Sequence, residues 1–189
     1  MASELHVDAI KHSGGTSAMT INSSGSVNIP GSVIQVVQTN FTASTTSVSG
    51  TTFTEITGLN VSITPKFSSS KILWQCSIAQ GENQDCFPAY KLFRDSTALN
   101  VPSAVSPGTA ATFAGVRTGN DARDIYLFSQ LSYQFLDSPN TTSQITYKVQ
   151  VRPMGASSGR TVFINRSNTI GDSNQFTATS TVTVMEIAQ

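Results

Sequence analysis

Ile145-Thr146-Tyr147-Lys148-Val149-Gln150-Val151-Arg152 decides the fold, because four apolar residues alternate with four polar ones without a break. A period of two puts every apolar side chain on one face, the signature of a strand half-buried against a core. Working outward from it, Lys71-Ile72-Leu73-Trp74-Gln75-Cys76-Ser77-Ile78 sets Ile72, Trp74, Cys76 and Ile78 on one face. Leu59-Asn60-Val61-Ser62-Ile63 alternates until Pro65 stops it, and residues 52–56, 161–164 and 176–187 read as further strands. Ser32-Val33-Ile34-Gln35-Val36-Val37-Gln38 is apolar on both faces, which predicts a strand covered on both sides. Ile125, Leu127, Leu131, Tyr133 and Phe135 share one face, with Tyr126 and Phe128 on the other.

Residues 87–93 are expected to return beside 71–78 as the strongest hairpin, with Gly81-Glu82-Asn83 at its tip. That pairing would set Cys76 and Cys86 opposite each other. A disulfide then needs a non-hydrogen-bonded pair, whereas a cytosolic product would keep two reduced, partly buried thiols. Residues 96–123 are punctuated by Pro102, Pro107, Gly108, Gly115 and Gly119, so they read as long loops with one short strand at 112–116. About eight strands and no 3.6-residue pattern predict an all-β chain whose main domain is a sandwich or barrel, with a jelly roll as the specific expectation.

Residues 1–30 also alternate, in Leu5, Val7 and Ile10, in Met19-Thr20-Ile21-Asn22, and in Val27-Asn28-Ile29-Pro30. Two or three short strands are marginal in water by themselves. This arm therefore predicts assembly, with Leu5, Val7, Ile10, Ile21, Val27 and Ile29 as its anchoring residues. Residues 31–189 suffice for one domain and are too few for two of ordinary size.

Composition narrows the function. Charged residues make up 12% of the chain, with eleven of each sign. Phosphate backbones require clustered Lys and Arg, so nucleic acid and anionic membrane are not expected as partners. Ser and Thr account for 51 of the 189 residues, interleaved with ten Phe and four Tyr. That mixture fits pleated strands with hydroxyl-rich surfaces rather than disorder. No apolar run of membrane-spanning length occurs, so no membrane insertion is expected. Met1-Ala2-Ser3-Glu4 carries no basic region followed by an apolar run, and assembly in a cytoplasm is expected.

Catalytic groups are scarce. His6 and His12 are the only histidines and both lie in the arm, away from any nucleophile in the main domain. The spacing of His6, His12, Cys76 and Cys86 matches no zinc pattern. Glu82, Asp85, Asp95, Asp121, Asp124 and Asp137 could supply a carboxylate pair for glycoside cleavage, but most sit where Asp satisfies turn backbone. The sequence predicts no enzyme, no metal and no cofactor.

Several segments carry a family resemblance. They are Leu5-His6-Val7-Asp8-Ala9-Ile10, Gly15-Thr16-Ser17-Ala18-Met19-Thr20-Ile21, Gly25-Ser26-Val27 and Pro30-Gly31-Ser32-Val33-Ile34-Gln35-Val36. Together they resemble the opening of small tail-fibre-like and virion-decorating proteins of bacteriophages, especially those of marine and cyanobacterial hosts. Thr64-Pro65-Lys66, Ser70-Lys71-Ile72-Leu73, Tyr90-Lys91-Leu92-Phe93-Arg94-Asp95 and Thr181-Val182-Thr183-Val184-Met185-Glu186-Ile187 are similar to the heads of such proteins.

The resemblance implies a homotrimer whose arms dock on other virion proteins of the tail, baseplate or capsid. It also implies jelly-roll heads like the tumour-necrosis-factor and complement C1q trimers. Val33, Val37, Tyr126 and Phe128 are then expected at the trimer interface. Arg117, Asp121 and Arg123, in the loops, are candidates for contact with a host-surface glycan or protein. A capsid decoration protein that clamps the shell is the alternative, and a polysaccharide-degrading spike is the third.

Overall fold

The computed structural model describes residues 6–83, 86–106, 108–115, 128–155, 159–168, 171, 173 and 175–189. Among them every regular element is a strand and every ladder is antiparallel. The arm holds β1 (Ala9–Lys11), β2 (Ser17–Ile21) and β3 (Val27–Asn28), which form a three-stranded sheet of their own.

The head begins at β4 (Val33–Phe41), β5 (Ser47–Ser49), β6 (Thr54–Ile63) and β7 (Lys71–Glu82). It continues through β8 (Phe87–Arg94), β9 (Thr97–Leu99) and β10 (Phe113–Ala114). The last strands are β11 (Phe128–Asp137), β12 (Ile145–Met154), β13 (Thr161–Ile164) and β14 (Ser180–Ile187).

Two sheets divide these strands. The first runs β4-β14-β7-β13-β5, with β11 along the other edge of β7. β14 pairs with residues 71–77 of β7 and β13 with 80–82, so the two lie end to end on one edge. The second runs β10-β8-β12-β6, with β9 following β10 along the free edge of β8.

The alternation of β12 is realised as read. Ile145, Tyr147, Val149 and Val151 are buried, and the residues between them face outward. Ile72, Trp74, Cys76 and Ile78 of β7 meet them from the first sheet in one core.

The open side of the sandwich is closed by aromatic rings. Phe113 stacks on Tyr90 of the second sheet at 5.0 Å and on Tyr133 of the first at 4.7 Å. On the opposite side the Thr39 hydroxyl donates to the Asn60 carbonyl at 2.6 Å, tying β4 to β6.

Asn165 joins four segments from a left-handed backbone conformation (φ 64°). Its Nδ2 donates to the carbonyls of Phe41 and Ala43, and its Oδ1 accepts from the Ser180 hydroxyl. The Ser180 Oγ in turn accepts from the Ala79 N–H. Gly81 lies so close to the 166–167 backbone that a Cβ there would sit 2.4 Å from the Arg166 carbonyl oxygen.

Four expectations need correction. β7 and β8 do not pair as a hairpin: both edges of β7 are taken within the first sheet, and β8 pairs in the second. Cys76 and Cys86 are consequently buried in the one core, not cross-strand partners and not joined in a disulfide. Residues 52–63 hold one strand with an irregularity instead of two strands; Gly58 (φ 93°) absorbs it, where a Cβ would press on the Phe41 ring at 2.9 Å. The last strand starts at Ser180 and not at 176, Thr177 making only an isolated bridge to Arg166.

Candidate functional site

The two outward faces of the head differ in kind. Register across β4, β14, β7 and β11 aligns Val36, Met185, Leu73 and Leu136 in one row on the outside of the first sheet. The next rows are Gln38, Thr183, Gln75 and Gln134, then Asn40, Thr181, Ser77 and Ser132. No residue in these three rows carries a charge. Val36 and Leu136 are 56% and 45% exposed.

The polar groups of this face largely satisfy one another. Gln38 Nε2 donates to Thr183 Oγ1, Gln75 Nε2 to Gln134 Oε1, and Gln130 Nε2 to Ser77 Oγ. The Gln and Ser rows border a depression of about 580 Å³. A neutral face whose polar atoms are already paired loses little when water is removed from it.

The outside of the second sheet carries Lys91, Lys148 and Arg152, with Glu55 opposing them from β6. Lys148 Nζ lies 4.0 Å from Glu55 Oε2, and Lys91 Nζ sits 4.4 Å over the Phe53 ring. Both contacts are partly solvated and hold the side chains more than they stabilise the fold.

The arm meets the head where β4 begins and β14 ends. Gly31 N–H donates to the Ala188 carbonyl and Ala188 N–H to that of Ser32. Asn28 Nδ2 reaches the Gln189 carbonyl. Beside this junction Glu186, fully buried, accepts the N–H groups of Lys66 and Phe67, and it also accepts from Gln35 Nε2. It thereby fixes the loop whose Lys66 carbonyl meets Asn22 of the arm. Val27, Ile29, Val33, Ile34 and Lys66 line a cleft of about 410 Å³ between arm and head.

Register puts Ile10 opposite Met19, and Ile21 opposite Val27, on one face of the arm sheet. Of the anchoring candidates, Val7, Ile10, Val27 and Ile29 are exposed and Ile21 is half-buried; Leu5 lies outside the described residues. Of the interface candidates, Val33 is exposed and Phe128 half-buried. Val37 packs against the core, so the outward residue of β4 is its neighbour Val36. Sequence reading missed Val36 because it treated 33–37 as apolar on both faces without a register. Tyr126 and the loop candidates Arg117, Asp121 and Arg123 lie outside the described residues.

The chemistry-bearing residues are held by local structure. His12 Nδ1 accepts the Gly14 N–H inside an exposed arm turn. Asp95 adopts a left-handed turn conformation (φ 53°) and accepts the Thr146 N–H. Asp137 accepts from Arg94 Nη1 at 2.6 Å and from the Tyr147 hydroxyl at 2.7 Å. Burial first, and then this carboxylate, push the Tyr147 phenol far above its ordinary range. Among the described residues no three His, Cys, Asp or Glu side chains are grouped to hold a metal ion. Scans of the sequence against protein-family models and against curated proteins give no match.

Proposed function

We propose that the chain is a non-enzymatic structural protein of a bacteriophage virion, a homotrimeric short fibre that attaches through its arm and presents the head to the host surface. The observation that carries the assembly is the contrast between the two outward faces: the first sheet has three successive charge-free rows, with Lys71 only in the row beyond them, while the second carries Lys91, Lys148 and Arg152 across its middle. Exposed charges hinder association of sheets, so a stretch of sheet face with none is open to it. A subunit interface gains from their absence, since an unpaired charge there is costly to bury.

The apolar row from Val36 to Leu136 gives that interface a hydrophobic end, beside Val33 and the arm. The exposed apolar side chains of the arm sheet supply a second surface that needs a partner, either the other arms or a virion protein. The strand orders β4-β14-β7-β11 and β10-β8-β12-β6 support a jelly roll as the architecture of the head. Attribution to a virion rests on the resemblance of the arm and head segments to phage fibre and decoration proteins.

The test is the native mass of the purified chain by light scattering. Three times the 20.0 kDa chain mass is expected; a single-chain mass overturns the trimer. Copy number per virion then separates a fibre, present in tens, from a shell clamp, present in hundreds.

A further inference from the structure

The arm sheet has an apolar face and a polar one. Ile10, Met19, Ile21 and Val27 stand in register on the first, and Ala9, Thr20 and Asn28 on the second. Asp8 shares the apolar face, since it lies two residues before Ile10 and its carbonyl accepts the Ile21 N–H. We propose that the β1 edge of this face seats in the cleft between arm and head of the next copy, with Ile10 against Val33 and Ile34 and Asp8 beside Lys66. The inference rests on the multimeric reading of the chain and deepens it by naming what each arm meets.

Three observations carry it. The ten exposed large apolar side chains among the described residues are unevenly spread: Val7, Ile10, Val27, Ile29, Val33 and Val36 belong to the arm or to the start of β4. Such a cluster marks a surface that another surface covers. Val27, Ile29, Val33 and Ile34 line the cleft itself, which at about 410 Å³ is of the size of sites that take in a ligand group.

The charges agree. Lys66 is the charged residue lining the cleft, and Asp8 is the acid on the apolar face of the arm. Both are exposed, and neither makes an ion pair among the described residues.

Direction is the third observation. The order β1-β2-β3 puts the inserting residues on one edge of the arm sheet and the cleft at the other. Each copy therefore gives to one neighbour and receives from the other. A head-to-tail contact of this kind closes into a ring when its rotation allows, and does not stop at a two-fold pair. The heads hold the copies together by their neutral faces. This contact sets the direction of the arms, covers the apolar side of a sheet that is marginal alone, and leaves the side of Ala9 and Thr20 outward for a virion protein.

The experiment is disulfide trapping of the full chain carrying Ile10→Cys and Val33→Cys, read by non-reducing electrophoresis, with the parent chain and its buried Cys76 and Cys86 as background. Both substituted positions are exposed, so the fold tolerates the changes. Covalent dimers and trimers are expected from the double variant and none from either single variant. Asp8→Lys added to the double variant is expected to slow trapping severalfold, and Lys66→Glu added to that to restore it.

A single variant that cross-links by itself makes the contact two-fold and overturns the proposal. So do a double variant whose chains stay unlinked, and trapping rates indifferent to both charge reversals. The two readings fail distinguishably. A trimeric native mass without trapping sinks the arm contact alone and leaves the cleft to a virion protein, whereas a single-chain native mass sinks the trimer and this contact with it.

Discussion

Cys76 sits on the core face of β7, where burial pushes its thiol from 9.0 up to about 12, against the smaller opposing pull of a hydrogen bond with the Tyr133 backbone. The consequence for stability has a definite sign. Below pH 9 folded and unfolded chains both keep the proton, so the contribution is fully present. Between pH 9 and 12 the unfolded chain releases the proton while the folded chain retains it. Stability is therefore lost as pH rises through that window, by about 1.4 kcal/mol per pH unit for this group. Tyr90 and Tyr147, both raised mainly by burial, act in the same direction above their ordinary value of 10.0. In urea unfolding between pH 9 and 10 the thiol outweighs each phenol, and a variant lacking it separates its share. Cys76→Ala is expected to flatten the fall in that interval by about 1 kcal/mol; equal slopes in the two proteins would show that the thiol titrates alike in both states.

Elements were legible in the sequence wherever a period of two met one core. β12, β7 and β13 were read close to their observed bounds, because each alternates or runs apolar between clear turn signals. Pairing was less legible than existence. Residues 71–78 and 87–93 look like adjacent strands of a hairpin, yet β7 finds its neighbours in β11, β13 and β14. Nothing local distinguishes a tight turn from a crossing between sheets, and the distant strands that fill both edges of β7 decide it. β5 and β9, three residues each, were missed since so short a segment has no period to read. The arm was read as strands and is a sheet with an exposed apolar side, joined to the head by a few hydrogen bonds. Deleting residues 1–30 is expected to leave a head that folds and keeps its native mass while no longer joining particles. Normal incorporation of the truncated chain into virions would defeat the anchoring role.

At the scale of the whole molecule the asymmetry of the head can be turned into a matched pair of substitutions. Thr183 lies in the neutral face and Thr146 on the charged one, both half-exposed at outward strand positions. In an isolated chain Thr183→Lys and Thr146→Lys are alike, each a surface change within about 0.5 kcal/mol. In an assembly built on the neutral face they part. Thr183→Lys places an ammonium without a counter-ion between subunits, and an unpaired charge buried in this way costs about 3–5 kcal/mol. In the proposed trimer each copy would bring such a charge, so the cost would be multiplied. Thr146→Lys adds one more cation beside Lys148 on a face that water keeps. Light scattering is therefore expected to report a single-chain mass for Thr183→Lys and the undiminished multimer for Thr146→Lys. If both remain assembled, the neutral face is not where subunits meet, and the arm alone must hold them together; dissociation of both would mean that general net charge, not the position of the charge, governs association.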